Sequence, residues 1–453
     1  MSDKDSGLDK KSARAADLMG FYQAFSDRAN PLEPGDSYYV PIFENDPEKD
    51  PILNLKTRIF YEASESVNLL TGFRGNGKST QLRRLKTLLE QDGCKVFLIN
   101  MLDVMLMTKP MELSDLILSM MAAFSDEIKD ETGMDVVRRG YWERTREFLN
   151  SNIKSDGITF SAGPEEFSAE MKLGLQRDAS FKEKIQAHLR GQLTTLVKDA
   201  YDFVVKVIDT LRKQSENPNL KVVLLVDSLE QIRGYYGNAA EVQKSVSETL
   251  SGQANNLAFP QLHIVYTIPP FLSTLAPNLS RQFGGNPITY WPNIHVKTKE
   301  GGADDGGIAI MRAILEKRYG RWNDFFDEKH IRRLAQASGG DLRDFFRLIR
   351  EGVIALSNNG AEKVTEDILA RIEQQLLNEC LPIANDDARW LAQIHAVKSA
   401  SLESIGEVER LARFQDSNLI MNYQNGKPWC DIHPLIVKEV QKLGSSQKPD
   451  DKR

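Results

Sequence analysis

The chain has 453 residues, too many for one compact core, and at roughly 100–200 residues per domain it is expected to hold two to four domains. Hydrophobic residues at 41% and charged residues at 27% exclude a collagenous, wholly disordered or low-complexity protein. A formal net charge of -6 provides no global field for nucleic acid or an anionic membrane, so a DNA contact would have to be a local basic patch. Cys94, Cys380 and Cys430 are odd in number and far apart, matching neither a disulfide framework nor a zinc spacing. No apolar run reaches the roughly 18 residues of a membrane helix, and the first twenty residues are charged rather than signal-like. These features predict a cytoplasmic protein with no membrane partner.

In chain order, residues 1–35 mix Asp, Lys, Ser and Ala around an apolar patch at Leu18 to Phe25, then Pro31, Pro34 and Gly35. This predicts a flexible N-terminal arm with a short helix. Tyr38-Tyr39-Val40-Pro41-Ile42-Phe43 is strand-like, and a helical pattern follows from Ile52 to Tyr61. Ser66 to Thr71 reads as a short buried strand, and a glycine loop, Gly72-Phe-Arg-Gly-Asn-Gly-Lys78-Ser79-Thr80, leads into a helix carrying Leu82, Leu85, Leu88 and Leu89. Cys94 to Asn100 is the next strand and Ser114 to Lys129 the next helix. This alternation implies an α/β fold, a parallel sheet flanked by helices.

From about 130 to 215 the pattern is mostly helical and reads as an insertion. A small hairpin is expected between Gly157 and Leu175, turning at Gly163-Pro164, and a single helix of about thirty residues from Phe181 to Leu211. Lys221 to Asp227 and Leu262 to Ile268 are continuous apolar runs, as in strands buried on both faces. Past a Gly-rich break at 301–307, helices are predicted at Ile308 to Tyr319, Glu328 to Ala337, Asp341 to Leu356 and from Thr365. A last unit holds helices at Asp387 to Val397 and Ser404 to Phe414, then two strands, Leu419 to Tyr423 and Trp429 to His433. Gln424-Asn425-Gly426-Lys427 between them is a strong hairpin signal.

Gly72 to Ser79 fits G-x-x-x-x-G-K-[ST] in full, between a predicted strand and helix. In such a loop the glycines let backbone N–H groups close around phosphates, Lys78 reaches the outer phosphates and the Ser79 hydroxyl ligates Mg²⁺. Gly72, Arg74, Gly75, Asn76, Gly77, Lys78, Ser79 and Thr80 are therefore the expected binders of ATP. The loop needs a second Mg²⁺-organising carboxylate at the end of a neighbouring buried strand, and Asp227 is that residue; otherwise it caps a helix. Glu230, three residues on, would polarise the attacking water, or else is an ordinary surface glutamate. Thr267 would offer its hydroxyl to the γ-phosphate if its strand neighbours that of Asp227, and is otherwise a plain strand threonine. Arg343 in Ser338-Gly339-Gly340-Asp341-Leu342-Arg343 would reach the phosphates and report hydrolysis, or is a solvated helix charge. Arg281 is a weaker candidate for an arginine finger acting on a neighbouring subunit. His188, His263, His295, His330, His395 and His433 form no metal-ligand spacing.

Together these residues resemble the AAA+ and STAND P-loop ATPases, particularly the branch of origin-recognition-like proteins, transposition regulators and antiphage signalling ATPases. Gly-Phe-Arg-Gly-Asn-Gly-Lys-Ser-Thr is similar to that branch's Walker A, and Asp-Ser-Leu-Glu to the Walker B of STAND proteins. Ser-Gly-Gly-Asp-Leu-Arg is similar to the sensor-2 lid. Ser228 occupies the place where many ring ATPases carry a glutamate. The resemblance implies a P-loop ATPase core at 36–300, a helical lid at 301–382, a winged-helix-like unit at 383–443 and a polar tail at 444–453, with Tyr38 to Ile42 near the adenine. The 149 positions between Lys78 and Asp227 leave the insertion outside what it accounts for.

The expected function is an ATP-hydrolysing switch that oligomerises with copies of itself and controls a separate effector or sensor protein, in antiphage defence. The alternative is a DNA-remodelling or loading ATPase acting through the winged helix. Residues 386–453 carry ten Lys/Arg and ten Asp/Glu, a neutral unit where a duplex-binding module has a basic face.

Overall fold

The computed structural model describes residues 2–26, 31–44, 46–152, 160, 163–235, 237–400, 406–423 and 428–445. The chain forms two compact units, one of Asp46–Arg74 and Lys78–Trp291, the other of Met1–Asn45, Gly75–Gly77 and Pro292–Arg453.

The first unit is built on a parallel sheet of β1 (Ser66–Thr71), β2 (Lys95–Asn100), β3 (Val222–Asp227), β4 (Leu262–Ile268) and β5 (Thr289–Tyr290), in the order β2-β3-β4-β1-β5. β1, β3 and β4 are buried along their whole length, which is why their sequences run apolar without alternating. In register, Leu70 lies beside Thr267, Val226 beside Tyr266 and Asp227 beside Asn100. The carboxyl ends of β1, β3 and β4 thus share one edge, where ligands of open α/β sheets bind. The two-residue β5, which pairs with Leu70 and Thr71, is too short to show in the sequence pattern.

The 130–215 stretch departs from expectation twice. The helix Pro164–Arg177 stands where the second half of the Gly157–Leu175 hairpin was expected, while Ile158 lies outside the described residues. Pro164 opens that helix, and Glu165 and Glu166 favour its positive end, so Gly163-Pro164 is a helix start rather than a turn. The single long helix is two, Ala179–Leu189 and Leu193–Gln214, broken at Arg190-Gly191-Gln192, where a glycine weakens the helix. A chain of rings links β2, the helix Leu113–Thr132, the helix Leu193–Gln214 and the helix Asp135–Asn152: Phe97 to Phe124 at 5.3 Å, Phe124 to Phe203 at 6.1 Å and Phe203 to Tyr141 at 4.6 Å. Inside this core Lys182 Nζ lies 2.8 Å from Asp115 Oδ2, both side chains at most 2% exposed.

In the second unit the residues expected as a flexible arm form the helix Ser2–Ala24. Its Leu18 and Phe21, with Phe25 beyond it, are buried in a core with Phe325, Phe326 and Phe345, and the Phe21 ring stacks on Tyr319 at 4.4 Å. Arg14 Nη2 donates to the Glu362 carbonyl at 2.8 Å. Leu18, Phe21 and Phe25 give this stretch a core to join, and tertiary packing of that kind supplies most of a helix's stability. Tyr38 to Phe43 forms turns rather than a strand, with Tyr38 N and Tyr39 N both bonded back to Asp36. Val40 and Ile42 pack on the same core.

The helices Asp305–Arg318, Glu328–Ala337, Leu342–Asn359 and Glu366–Glu379 follow. The winged-helix-like part comprises helices Asn385–Val397 and Gly406–Asp416, an antiparallel hairpin of β6 (Ile420–Tyr423) and β7 (Trp429–Ile432), and the helix Val437–Ser445. The Asn-Gly turn at 424–427 lies outside the described residues, as does 446–453 of the polar tail; 444 and 445 end the last helix. Among the described residues no helix is long and apolar enough to cross a membrane.

A buried histidine gives the sheet a pH dependence. His263 on β4 is 1% exposed and its Nδ1 lies 2.9 Å from Ser66 Oγ on β1. Burial, with the Lys221 and Arg212 charges, pushes its pKa down to about 4 from 6.5. Between those values the unfolded chain binds the extra proton, so stability is complete above pH 6.5 and falls as pH drops toward 4. Thermal unfolding should show a loss of about 2–3 kcal/mol over that interval, and His263→Gln should flatten it.

Candidate functional site

The loop after β1 turns through Gly75 and Gly77, at φ +84° and +91°, a region other side chains rarely enter. A Cβ built on Gly77 would meet nothing within 4 Å, so the glycine is there for its backbone conformation rather than to relieve a clash. Lys78 opens the helix Lys78–Gln91 and is buried. Its Nζ donates to the Gly72 carbonyl at 2.9 Å and the Phe73 carbonyl at 2.6 Å, and lies 3.3 Å from Glu230 Oε1. Asn76 is buried, and Thr80 lies in the first turn of the helix.

From the carboxyl end of β3, Asp227 accepts hydrogen bonds from the Ser79 hydroxyl and, at 2.7 Å, from the Ser228 amide. Its pKa is pushed up to about 6 by burial and by the Glu230 charge, against the pull of Ser79, Ser228 and Lys78. Ser228 is left-handed at φ +72° and swings the chain into the turn Leu229–Gln231. That turn brings Glu230 back beside Lys78 and Gln231 to Arg74, whose Nη2 donates to Gln231 Oε1 at 3.1 Å. Glu230 is 4% exposed, so it is no surface glutamate, and its Oε2 is buried with no hydrogen-bond partner among the described residues. Nothing in the sequence marked Gln231, or the conformation of Ser228, as part of this arrangement.

β4 does neighbour β3, but the Thr267 hydroxyl is engaged within the sheet. It donates to the Val226 carbonyl at 3.2 Å and accepts from the Leu229 amide at 3.0 Å, bracing the turn that carries Glu230. Arg281 is exposed in the one-turn helix Leu279–Gln282. In the second unit Arg343 is exposed in the first turn of Leu342–Asn359 and closes on Gly75, where a Cβ would stand 2.8 Å from Arg343 Cβ and 2.9 Å from its Nε.

The donor set suits a triphosphate with Mg²⁺. Ser79 and Asp227 offer the hard oxygens that Mg²⁺ takes. The orphaned Glu230 oxygen, beside the Lys78 ammonium, is where a polar ligand would find a partner.

No family model matches the chain, and no curated protein does. Among solved structures it is similar to the ORC2 protein of Aeropyrum pernix in its ADPNP-ADP complexes, at 11% identity and a TM-score of 0.40, covering 93% of this chain and 97% of that one. It is similar to the Walker-type ATPase paby2304 of Pyrococcus abyssi, at 13% identity and 0.43, covering 92% and 99%. A third is the RuvB Holliday junction branch migration motor of Thermotoga maritima, at 12% identity and 0.35, again covering 92% and 99%. Alignments this loose carry no functional conclusion.

Proposed function

We propose that this chain is an ATP-binding and ATP-hydrolysing P-loop switch of the AAA+/STAND type, which assembles with copies of itself and controls a separate effector or sensor protein in the cytoplasm. The observation that carries the reading is the bond from Ser79 on the phosphate loop to Asp227 at the end of β3, beside the buried ammonium of Lys78. In this reading Gly72, Arg74, Gly75, Asn76, Gly77, Lys78, Ser79 and Thr80 bind the phosphates, and Ser79 and Asp227 hold Mg²⁺. Bound there, Mg²⁺ would supply neutralisation of phosphate charge. Glu230 turns its free oxygen to the attacking water, Thr267 fixes the turn that aims it, and Arg343 reports on the γ-phosphate. The resemblance of Asp-Ser-Leu-Glu to STAND proteins supports a place in antiphage defence.

The DNA-associated alternative finds less support. On the helix Gly406–Asp416, Arg413 lies 2.8 Å and Arg410 3.5 Å from the carboxylate of Asp387, and Glu407, Glu409 and Asp416 share the helix with them, so it presents no net basic charge to a duplex.

The test is the mass of the purified protein with and without non-hydrolysable ATP, together with its ATP turnover. Larger assemblies with the analogue and turnover lost in Glu230→Gln are expected. A protein that binds no nucleotide overturns the reading, and turnover accelerated by duplex DNA favours the loader.

The proton on Asp227 gives a second check. Mg²⁺ requires the carboxylate, so Mg²⁺-dependent affinity for the analogue should fall as pH drops through about 6. Titrations between pH 5 and 8 should show this dependence in wild type and lose both it and the Mg²⁺ requirement in Asp227→Asn.

A further inference from the structure

The role of Arg343 rests on the function proposed above; how Arg343 is held does not. The turn Ser338–Asp341 that delivers it has little freedom. Ser338 Oγ donates to the Ala335 carbonyl at 2.8 Å and accepts from the Gly340 amide at 3.2 Å. Gly339 and Gly340 are left-handed, at φ +62° and +84°. A Cβ on Gly340 would sit 1.7 Å from the Ile294 carbonyl oxygen, and the Ile294 amide donates to the Gly340 carbonyl at 3.2 Å.

The other side of the turn is held by the winged-helix-like part. Tyr423, 1% exposed on β6, donates its hydroxyl to the Gly339 carbonyl at 3.0 Å. Met421 Sδ presses so close to Gly339 that a Cβ there would lie 2.6 Å away. Beyond the turn His433 Nε2 lies 3.2 Å from Asp344 Oδ2; its Nδ1 accepts from the Leu435 amide at 3.3 Å, which leaves Nε2 as the donor. The hairpin is itself anchored to the Ile294 segment. Lys297 Nζ is 2.7 Å from the buried Asp431 and 5.2 Å from the centre of the Tyr423 ring, and Lys398 and His395 close on the same carboxylate at 2.8 and 2.7 Å.

We propose that the β6–β7 hairpin positions the Ser338–Arg343 turn, so that hairpin and Arg343 move as one body and whatever displaces the hairpin displaces Arg343. Tyr423 and His433 are positioning residues acting through the turn. Because linkage is reciprocal, a partner protein that binds the winged-helix-like part in one hairpin position alters nucleotide affinity, and nucleotide alters that partner's affinity, by the same factor.

Hydrogen exchange on the full-length protein tests this. Without nucleotide, Tyr423→Phe should speed exchange at Gly340, Asp341 and Asp344 and at Cys430 and Ile432 by a common factor of about five, the equivalent of one lost hydrogen bond. Amides of Glu366–Glu379 should be unchanged. His433→Gln, which leaves the hairpin's own contacts intact, should produce the same joint response. Acceleration confined to the hairpin in both variants overturns the proposal. With a non-hydrolysable ATP analogue and Mg²⁺, the hairpin should slow in wild type and stay indifferent in Arg343→Ala; a wild-type hairpin indifferent to bound nucleotide also overturns it. If no nucleotide binds at all, the ATPase reading fails while the first comparison still decides the mechanical link.

Discussion

Lys78→Ala is expected to lose nucleotide binding while keeping its fold. The ammonium is buried and held by two loop carbonyls and Glu230, so its position is set before any ligand arrives. Removing one partner of a buried charged hydrogen bond costs about 2–5 kcal/mol, so affinity for an ATP analogue should fall by at least about 30-fold. The substitution also leaves two buried carboxylates without a cation. Asp227, already pushed up to about 6, moves higher, and the variant should take up a proton near neutral pH. Its melting temperature should therefore drop at pH 7 and recover toward pH 6, or in the Lys78→Ala/Glu230→Gln double variant. A Lys78→Ala protein that binds and turns over ATP normally contradicts the site.

The second large effect belongs to the Asp115–Lys182 pair. Burial pushes the Asp115 carboxyl up, and Lys182 opposes it; the same carboxylate accepts from the Glu112 amide at 2.7 Å and from Gln186 Nε2 at 3.2 Å. Lys182→Met strands that charge among apolar helices, which costs about 3–5 kcal/mol. For a unit of this size the melting temperature should fall by about 10 °C. Lys182→Met/Asp115→Leu should recover most of the loss but not the helix cap that Asp115 makes with Glu112. A single variant that melts like wild type would show that water reaches the pair.

The phosphate loop was legible because its chemistry is local: eight residues, with two obligatory glycines, a lysine and a serine, between a buried strand and a helix. The strands Val222–Asp227 and Leu262–Ile268 were legible because burial on both faces leaves an unbroken apolar run. Strand order was not, since it depends on crossovers between residues up to about two hundred positions apart. The helix start at Pro164 was misread because Gly-Pro also punctuates turns, and the two glutamates that settle the matter come just after it. The apolar patch Leu18 to Phe25 is legible in the N-terminal segment, but the core that its Leu18, Phe21 and Phe25 join is formed by residues about three hundred positions away, which sequence pattern does not reveal. The contact of Glu230 with Lys78 escaped notice because it depends on a left-handed serine, and sequence pattern carries no signal for a non-glycine residue in that conformation.

That serine has a consequence for how such a chain can vary. A non-glycine residue in this conformation stores roughly 1–2 kcal/mol of torsional tension, and here the tension sits on the hinge between a strand-end acid and the acid three places later. Glycine at position 228 would release it and unfasten the hinge; valine or isoleucine would be driven back to an extended backbone and carry the later acid away from the lysine. Drift at this one position would thus be filtered by torsion, in addition to the buried hydroxyl's bond from Gln231 Nε2 at 3.5 Å.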